Sequence, residues 1–525
     1  MLPDLSALTN FRASLGHDVV CFLPESILIA GIVTVLLFRI VAHPGRAIMA
    51  IVSGIVFFSA WVALIAVNLH HDSSTTLTIF TGLLQVNPLA NYLRGVLLLF
   101  GGLLVLLTYV SRLPESDDVA DFHGLLLGGT VGLMLMVSAN HLMLVFLGLE
   151  MASLPSYMLS GFRRNSRVGS EAALKYAIYG AASAGVTLYG ISLLAIAAGT
   201  GDLPTAVAAV TDTTGAGFPL AAAGGLFFLV GLGFKLAAVP FHFWLPDVFA
   251  GATAEVAAFL AVASKAAAIG LGVRLLLLAS LSAEQMMPLP TTFALSLIIV
   301  AAATTTLGNL AALPQTNLQR LFGYSTIAHS GVMVMGLATM QREGLIAVLV
   351  YLAGYFPMNL GAFAAIACLR TGTAPVSVDA FRGLARQRPE IGVPLVVFVM
   401  SLLGLPPLAG FVGKFLIFIA VFTASQQAFS TGAVTLGWAY RILLGVGLLN
   451  TLISLGYYLR IVRAVGLDVP EEGTGSDTAE VGPGLSGGIA VYFGILAAAL
   501  LILGLAWGPL LELATTAVAG PSQLP

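Results

Sequence analysis

The stretch VGLGFKLAAVPFHFWLPD, Val230–Asp247, decides the fold. A lysine stands inside an apolar run, Pro240 follows it, and aromatic residues and a second proline close the segment. The stretch SLLGLPPLAGFVGKFLIF, Ser401–Phe418, repeats the plan, with Pro406, Pro407, Gly410 and Gly413 just before Lys414. Proline removes a backbone donor and clashes with the preceding turn. In a bilayer, bare backbone survives only where protein buries it or a watery cavity lines it. Both stretches therefore read as membrane helices broken beside a lysine.

The surroundings fit a membrane. Of 525 residues, 58% are hydrophobic and only 9% charged. Apolar runs long enough to cross a bilayer recur along almost the whole chain, about fourteen in all. The expected fold is an all-α polytopic membrane protein. The segment 76–90 reads as an amphipathic loop, and the twelfth and fourteenth spans as 391–423 and 487–512. The two broken spans, the seventh and the twelfth, lie five apart, which predicts two inverted five-helix repeats. The expected organisation is helices 1–3 in 1–120, a first repeat (helices 4–8) in 121–280 and a second (helices 9–13) in 288–465. A polar cytoplasmic linker, 466–486, then leads to helix 14 in 487–525.

Charge sets the orientation. One set of loops carries Arg39, Arg46, Arg112, Arg163, Arg164, Arg167, Arg320, Arg370, Arg382, Arg386, Arg388, Arg460 and Arg463. The other side has Arg12 and Arg342 in loops, with Arg94, Arg274 and Arg441 near helix ends. Positive loops stay in the cytoplasm, so both termini are expected outside. The arginines form no basic face, which argues against a nucleic-acid partner. Cys21 and Cys368 are isolated, and no dinucleotide-binding glycine fingerprint follows a strand. No metal or redox cofactor is expected on this chain.

The four lysines, Lys175, Lys235, Lys265 and Lys414, all fall inside spans, whereas the basic residues of the loops are arginine. Arginine keeps its charge, while buried lysine exchanges a proton readily. Glu150, mid-span in HLMLVFLGLEMASLPSYML, adds a buried carboxylate, and a glutamate beside a buried lysine lowers the cost of both charges. An intramembrane charge costs about 3 kcal/mol on insertion scales, so each is a functional candidate by default. Glu150, Lys235, Lys265 and Lys414 form a row of proton-exchanging groups. Lys175 is divided between that role and an ion pair with Glu171, four residues earlier on the helix. His329 is either a relay or a histidine bonded to a Ser or Thr hydroxyl. His242 is either a proton-entry gate or an interfacial structural residue. Trp244 fits an interfacial aromatic belt, Asp247 contacts the following helix, and Tyr324, Tyr457 and Tyr458 read as packing. His70 and His71 fall in an outer loop and offer only a weak metal site.

Six motifs together carry a resemblance. LGLEMASLPSYML, EAALKYAIYGAASAG, GFKLAAVPFHFWLPD, SKAAAIG, FGYSTIAHSG and LPPLAGFVGKF resemble the antiporter-like membrane subunits of bacterial respiratory complex I, the NADH:quinone oxidoreductase. The likeness covers roughly 20–512 and favours the N type, because Lys414 stands where the closest sister subunit carries glutamate. The resemblance implies that Glu150 and Lys235 are the paired charges, Lys265 the central lysine and Lys414 the terminal one. It implies sister antiporter-like subunits and small membrane subunits as partners. NADH, FMN, iron–sulfur clusters and quinone would be bound by other subunits. The chain departs from the family after Asp247, where AGATAEV from Ala250 lacks two prolines and adds Glu255, and at Val332, where a tyrosine is common.

The expected activity is proton translocation driven by quinone reduction elsewhere in the complex, in the bacterial inner membrane. A subunit of a multi-subunit sodium/proton antiporter has the same charge pattern. A scaffold without transport is the alternative of another class.

Overall fold

The computed structural model describes residues 15–42, 45–70, 76–113, 118–163, 166–283, 291–369, 376–468 and 486–519. Fourteen helices among them are long and apolar enough to cross a membrane. The first three are α1 (Leu23–Ala42), α2 (Arg46–His70) and α3 (Pro88–Val110). The next group is α4 (Val119–Ser138), α5 (Leu142–Ser160), α6 (Arg167–Ala198), the short α7 (Leu203–Thr211), α8 (Phe218–Leu236), α9 (Trp244–Gly251) and α10 (Ala254–Ala283). Then come α11 (Thr291–Ala312), α12 (Leu318–Ala338), α13 (Arg342–Leu369), the short α14 (Leu384–Gln387), α15 (Pro389–Leu403), α16 (Ala409–Ser430) and α17 (Val434–Gly466). The last two are α18 (Ser486–Leu505) and α19 (Gly508–Val518).

Four expectations about elements change. Residues 76–90 hold an antiparallel hairpin, β1 (Leu77–Ile79) on β2 (Leu84–Val86), and the first turn of α3. A short strand pair leaves too weak a periodic signal to separate from a loop. The twelfth span runs on to Ser430 rather than 423, in the two pieces α15 and α16. The fourteenth stops at Leu505, and α19 follows after a break at Ala506 and Trp507. His70 ends α2, its ring bonded to the Ala66 carbonyl, so it is not a loop residue. His71 and linker residues 469–485 lie outside the described residues.

The hairpin is tied down rather than free. Leu84 bridges Ala139, and the Asn140 amide reaches the Leu83 carbonyl at 2.8 Å. His141 bridges Asp202, so the hairpin, the α4–α5 connection and the α6–α7 connection form one sewn cap.

Helices α10, α12 and α13 are buried over nearly their whole length, while α1, α2, α6, α17 and α18 turn most of their surface outward. Lipid is as apolar as leucine, so helices associate through close packing of small residues. The pair α4–α5 shows this: a Cβ on Gly132 would lie 2.4 Å from the Ala152 backbone nitrogen. The pair α11–α12 does the same, with a Cβ on Gly331 reaching the Thr305 backbone nitrogen at 2.5 Å.

Candidate functional site

Both broken spans end their first half in the same way. Helix α8 stops at Leu236, and Ala237 takes a left-handed conformation with φ 52°. Helix α15 stops at Leu403, and Gly404 takes a left-handed conformation with φ 91°. Val239–Pro240 and Pro406–Pro407 are cis peptides in the two connections. A helix end leaves carbonyl oxygens without intrahelical donors, and they carry the negative end of the helix dipole. A cation is the natural partner for such an end.

A lysine meets each of these ends. Lys265 Nζ, in the buried part of α10, donates to the Leu236 carbonyl at 2.6 Å. Lys414 Nζ, in the second turn of α16, donates to the Leu402 and Leu403 carbonyls at 2.8 and 3.0 Å. Lys235 lies in the last turn of α8, one residue before the carbonyl that Lys265 holds. Its ammonium is buried and has no hydrogen-bond partner among the described residues. Glu150 lies mid-way along α5 within electrostatic reach of Lys235, and its Oε1 is likewise buried and unbonded. Glu150, Lys235 and Lys265 are thus gathered around one helix break, and Lys414 stands at the other.

His329 lies between two tyrosines. Its Nδ1 is 2.5 Å from the Tyr351 hydroxyl on α13, and its Nε2 is 2.9 Å from the Tyr458 hydroxyl on α17. The expected Ser or Thr partner is one step removed: Ser325 Oγ bonds the Tyr458 hydroxyl at 2.6 Å. Tyr457 donates to Asn309 Oδ1 at 2.9 Å, and Asn309 donates to Asn450 Oδ1 at 3.3 Å. Neither Tyr457 nor Tyr458 is mere packing, unlike the half-buried Tyr324. His329 and Lys414 line a small cavity of ≈ 10 Å³ with Asn309, Asn450, Tyr457 and Tyr458. That is room for about one water with several polar partners.

Other assignments move. Lys175 is not in the buried row: its side chain is 39% exposed and pairs with Glu171 at 2.7 Å and Asp247 at 2.9 Å. Asp247 also pairs with Arg320 at 3.2 Å, so it ties α6 to α12 instead of serving the following helix. Trp244 does not belong to a belt. It is buried, stacked on Tyr176 at 4.3 Å, and donates from Nε1 to the Phe234 carbonyl at 3.1 Å. An indole so placed closes the break next to Lys235 from one side. His242 is buried between α8 and α9, against Phe243 at 4.3 Å. Val332 lines the cavity by His329, and Glu255 is buried in the first turn of α10.

One charged pair escaped the sequence reading. Arg94 and Glu25, both buried, join α3 to α1, with Nε donating to Oε1 at 2.7 Å. Arg94 reads in the sequence only as a charge near a helix end, and nothing there links positions 25 and 94. Among the described residues, no group of three or more His, Cys, Asp or Glu side chains is placed to hold a metal.

Residues 139–437 match the family described as NADH:quinone oxidoreductase/Mrp antiporter, membrane region. Over 96% of this chain and 96% of the relative, the sequence is 35% identical to NADH-quinone oxidoreductase subunit N of an Anaeromyxobacter species. The chain belongs to this family. It is also 34% identical to NAD(P)H-quinone oxidoreductase subunit 2 of Synechococcus elongatus, over 96% of this chain and 92% of that one. Among solved structures, a chain of respiratory complex I from Thermus thermophilus is 31% identical, with TM-score 0.74, over 94% of this chain and 99% of that chain. A chain of the Mrp complex from a Dietzia species has TM-score 0.78 at 20% identity, over 95% of this chain and 97% of that chain, a likeness of fold alone.

Proposed function

We propose that this chain is a proton-translocating membrane subunit of an NADH:quinone oxidoreductase, and that Glu150, Lys235, Lys265, His329 and Lys414 carry the protons. The observation that supports it most is the lysine on the terminal carbonyls of both broken half-helices. Burial and the carbonyl contacts act in opposite senses on each ammonium charge, so small rearrangements of the break shift the balance.

Quinone reduction elsewhere in the complex alters the Glu150–Lys235 interaction. Lys235 passes a proton to Lys265, whose Nζ already lies on the neighbouring carbonyl. His329 and its two tyrosine hydroxyls carry it on toward Lys414. Proton release from Lys414 to the outer side and reloading of the first site from the cytoplasm complete the cycle. His242 lies near the reloading side, and Lys175 contributes an ion pair there.

The helices divide into 1–120, a first repeat in 121–280, a second inverted repeat in 288–465, a linker in 466–486 and a terminal part in 487–525. The left-handed caps at Ala237 and Gly404, and the glycine contacts of α4–α5 and α11–α12, support the duplication. The arginine-rich loops face the cytoplasm and both termini the periplasm of the bacterial inner membrane. NADH, FMN, iron–sulfur clusters and quinone lie on other subunits, and sister membrane subunits flank this one. The likeness of fold to an Mrp chain leaves sodium/proton antiport as a second reading, which the 35% identity to a subunit N over 96% of the chain disfavours.

Lys265→Met tests the proposal. In membrane vesicles containing the assembled complex, NADH oxidation should persist while protons moved per NADH fall. Unchanged proton stoichiometry would exclude the relay. Loss of assembly instead of pumping would favour a scaffold.

A further inference from the structure

Helices α16 and α17 pack side by side, and neither contains an Asp or Glu. They nevertheless carry an exposed cation. Arg441 lies on the outward face of α17, at the other end of that helix from Arg460 and Arg463. Its stem is fixed. Nε donates to the Ser425 hydroxyl on α16 at 2.8 Å, and that buried hydroxyl donates in turn to the Gly437 carbonyl at 3.0 Å. The guanidinium carbon lies 4.8 Å from the centre of the Phe422 ring and 5.8 Å from that of Phe429. Aromatic faces are electron-rich and hold a cation at such distances. An arginine loses side-chain freedom when it binds a ligand, and this one is ordered already.

The two Nη groups are left over. Among the described residues they meet no acceptor and no carboxylate at ion-pair distance. Glu343 begins α13 at the same end of the bundle, where Gln341 bonds Gln427 of α16, yet it forms no ion pair with Arg441. The free edge of a guanidinium presents two parallel N–H groups, a geometry that matches a carboxylate or a phosphate.

Depth and surroundings select between them. With 33 residues, α17 is about 50 Å long, against a hydrocarbon core of about 30 Å. Its middle residue, Asn450, lines the same cavity as Lys414. Arg441 is about 14 Å from Asn450 along the helix, at the edge of the core. Exposed Trp438, one turn further out and edge to face with Phe429 at 5.7 Å, marks the level of the headgroups. Inward from Arg441 the exposed face runs through Ile442, Leu448, Leu449 and Leu452, with Gly445 the one small residue among them. Helices that pair within a bilayer meet on small residues. A face of leucine and isoleucine is suited to acyl chains instead.

We propose that Arg441, held by Ser425, Phe422 and Phe429, binds the phosphate of a membrane phospholipid whose acyl chains lie along Leu448 and Leu452. The site stands apart from the proton relay, and its test does not use pumping. The whole complex, delipidated in a phosphate-free nonionic detergent, is titrated with phosphatidylglycerol carrying a photoactivatable acyl chain. After illumination, lipid attached to α17 peptides is read by mass spectrometry. Wild type should label saturably. Arg441→Gln should raise the half-saturating concentration about tenfold, the loss of about 1.4 kcal/mol of binding. Inorganic phosphate should not displace the probe.

A diacylglycerol probe with the same acyl chain and no phosphate reads the phosphate requirement on wild type alone, so the proposal stays testable if the glutamine variant fails to assemble. That probe should also need about a tenfold higher concentration. Equal half-saturation for the two probes, or wild-type labelling of assembled Arg441→Gln, would overturn the proposal. Displacement by inorganic phosphate would make this a site for free anions and overturn the lipid assignment. So would loss of a neighbouring membrane subunit from Arg441→Gln without phosphate-dependent labelling of wild type, because the fork would then serve a protein carboxylate.

Discussion

At the scale of single residues, the membrane makes each polar side chain answerable for its partner. His329 shows how. Its two ring nitrogens meet the Tyr351 and Tyr458 hydroxyls, and a ring with both nitrogens engaged can accept a proton on one side and release one on the other. Removing the Tyr458 hydroxyl leaves His329 with one partner and Ser325 Oγ without that contact. We expect Tyr458→Phe to slow coupled proton pumping by about tenfold, the cost of a buried polar group left unpaired. Tyr324→Phe, a packing position, should pump like wild type. Pumping rates of the two variants, measured at equal amounts of assembled complex, provide the check. Equal rates would remove His329 from the route.

The elements show where legibility began and ended. The α-helical spans were plain in the sequence because an apolar run of sufficient length has one stable outcome in lipid. The breaks were plain too, since Pro240, Pro406 and Pro407 interrupt apolar runs beside a lysine, unlike Pro155 and Pro357, around which the helices run on. The hairpin 77–86 was not, because strands of three residues carry almost no periodic signal. Close helix pairs were also hidden: Gly331 looks like any other glycine until α11 is seen against it. A side chain there meets the Thr305 backbone, which cannot swing aside. Gly331→Ala should destabilise the complex by about 1–3 kcal/mol through overpacking and displace His329, two residues away. The control is Gly445→Ala on α17, where a Cβ meets nothing within 4 Å and the helix gains propensity. Thermal melting of the two purified variants separates them. Similar melting would show that the α11–α12 contact is loose.

For the whole molecule, the question is which ion the buried row carries. Ammonium groups held on carbonyl oxygens supply donors, whereas a sodium site needs several oxygen ligands converging on one point. The described residues place lysine nitrogens at both breaks. We therefore expect NADH-driven acidification by vesicles to proceed at the same proton stoichiometry with and without sodium. A sodium gradient alone should drive no proton movement through the assembled complex. Sodium-driven proton flux without NADH would move the chain to the antiporter reading.

The sequence by itself determined the helical membrane class, the two broken spans and the short roster of intramembrane charges. Those follow from hydropathy, proline chemistry and the cost of burying charge, all local properties of the chain. Only the tertiary structure decided what each charge touches. It moved Lys175 out to Glu171 and Asp247, drew Trp244 into the core, and paired His329 with tyrosines from two other helices. It also joined Glu25 to Arg94 and set Arg274 beneath the hairpin. A charge in lipid takes whichever partner the packed helices bring within reach, and that is settled by contacts between residues tens or hundreds of positions apart.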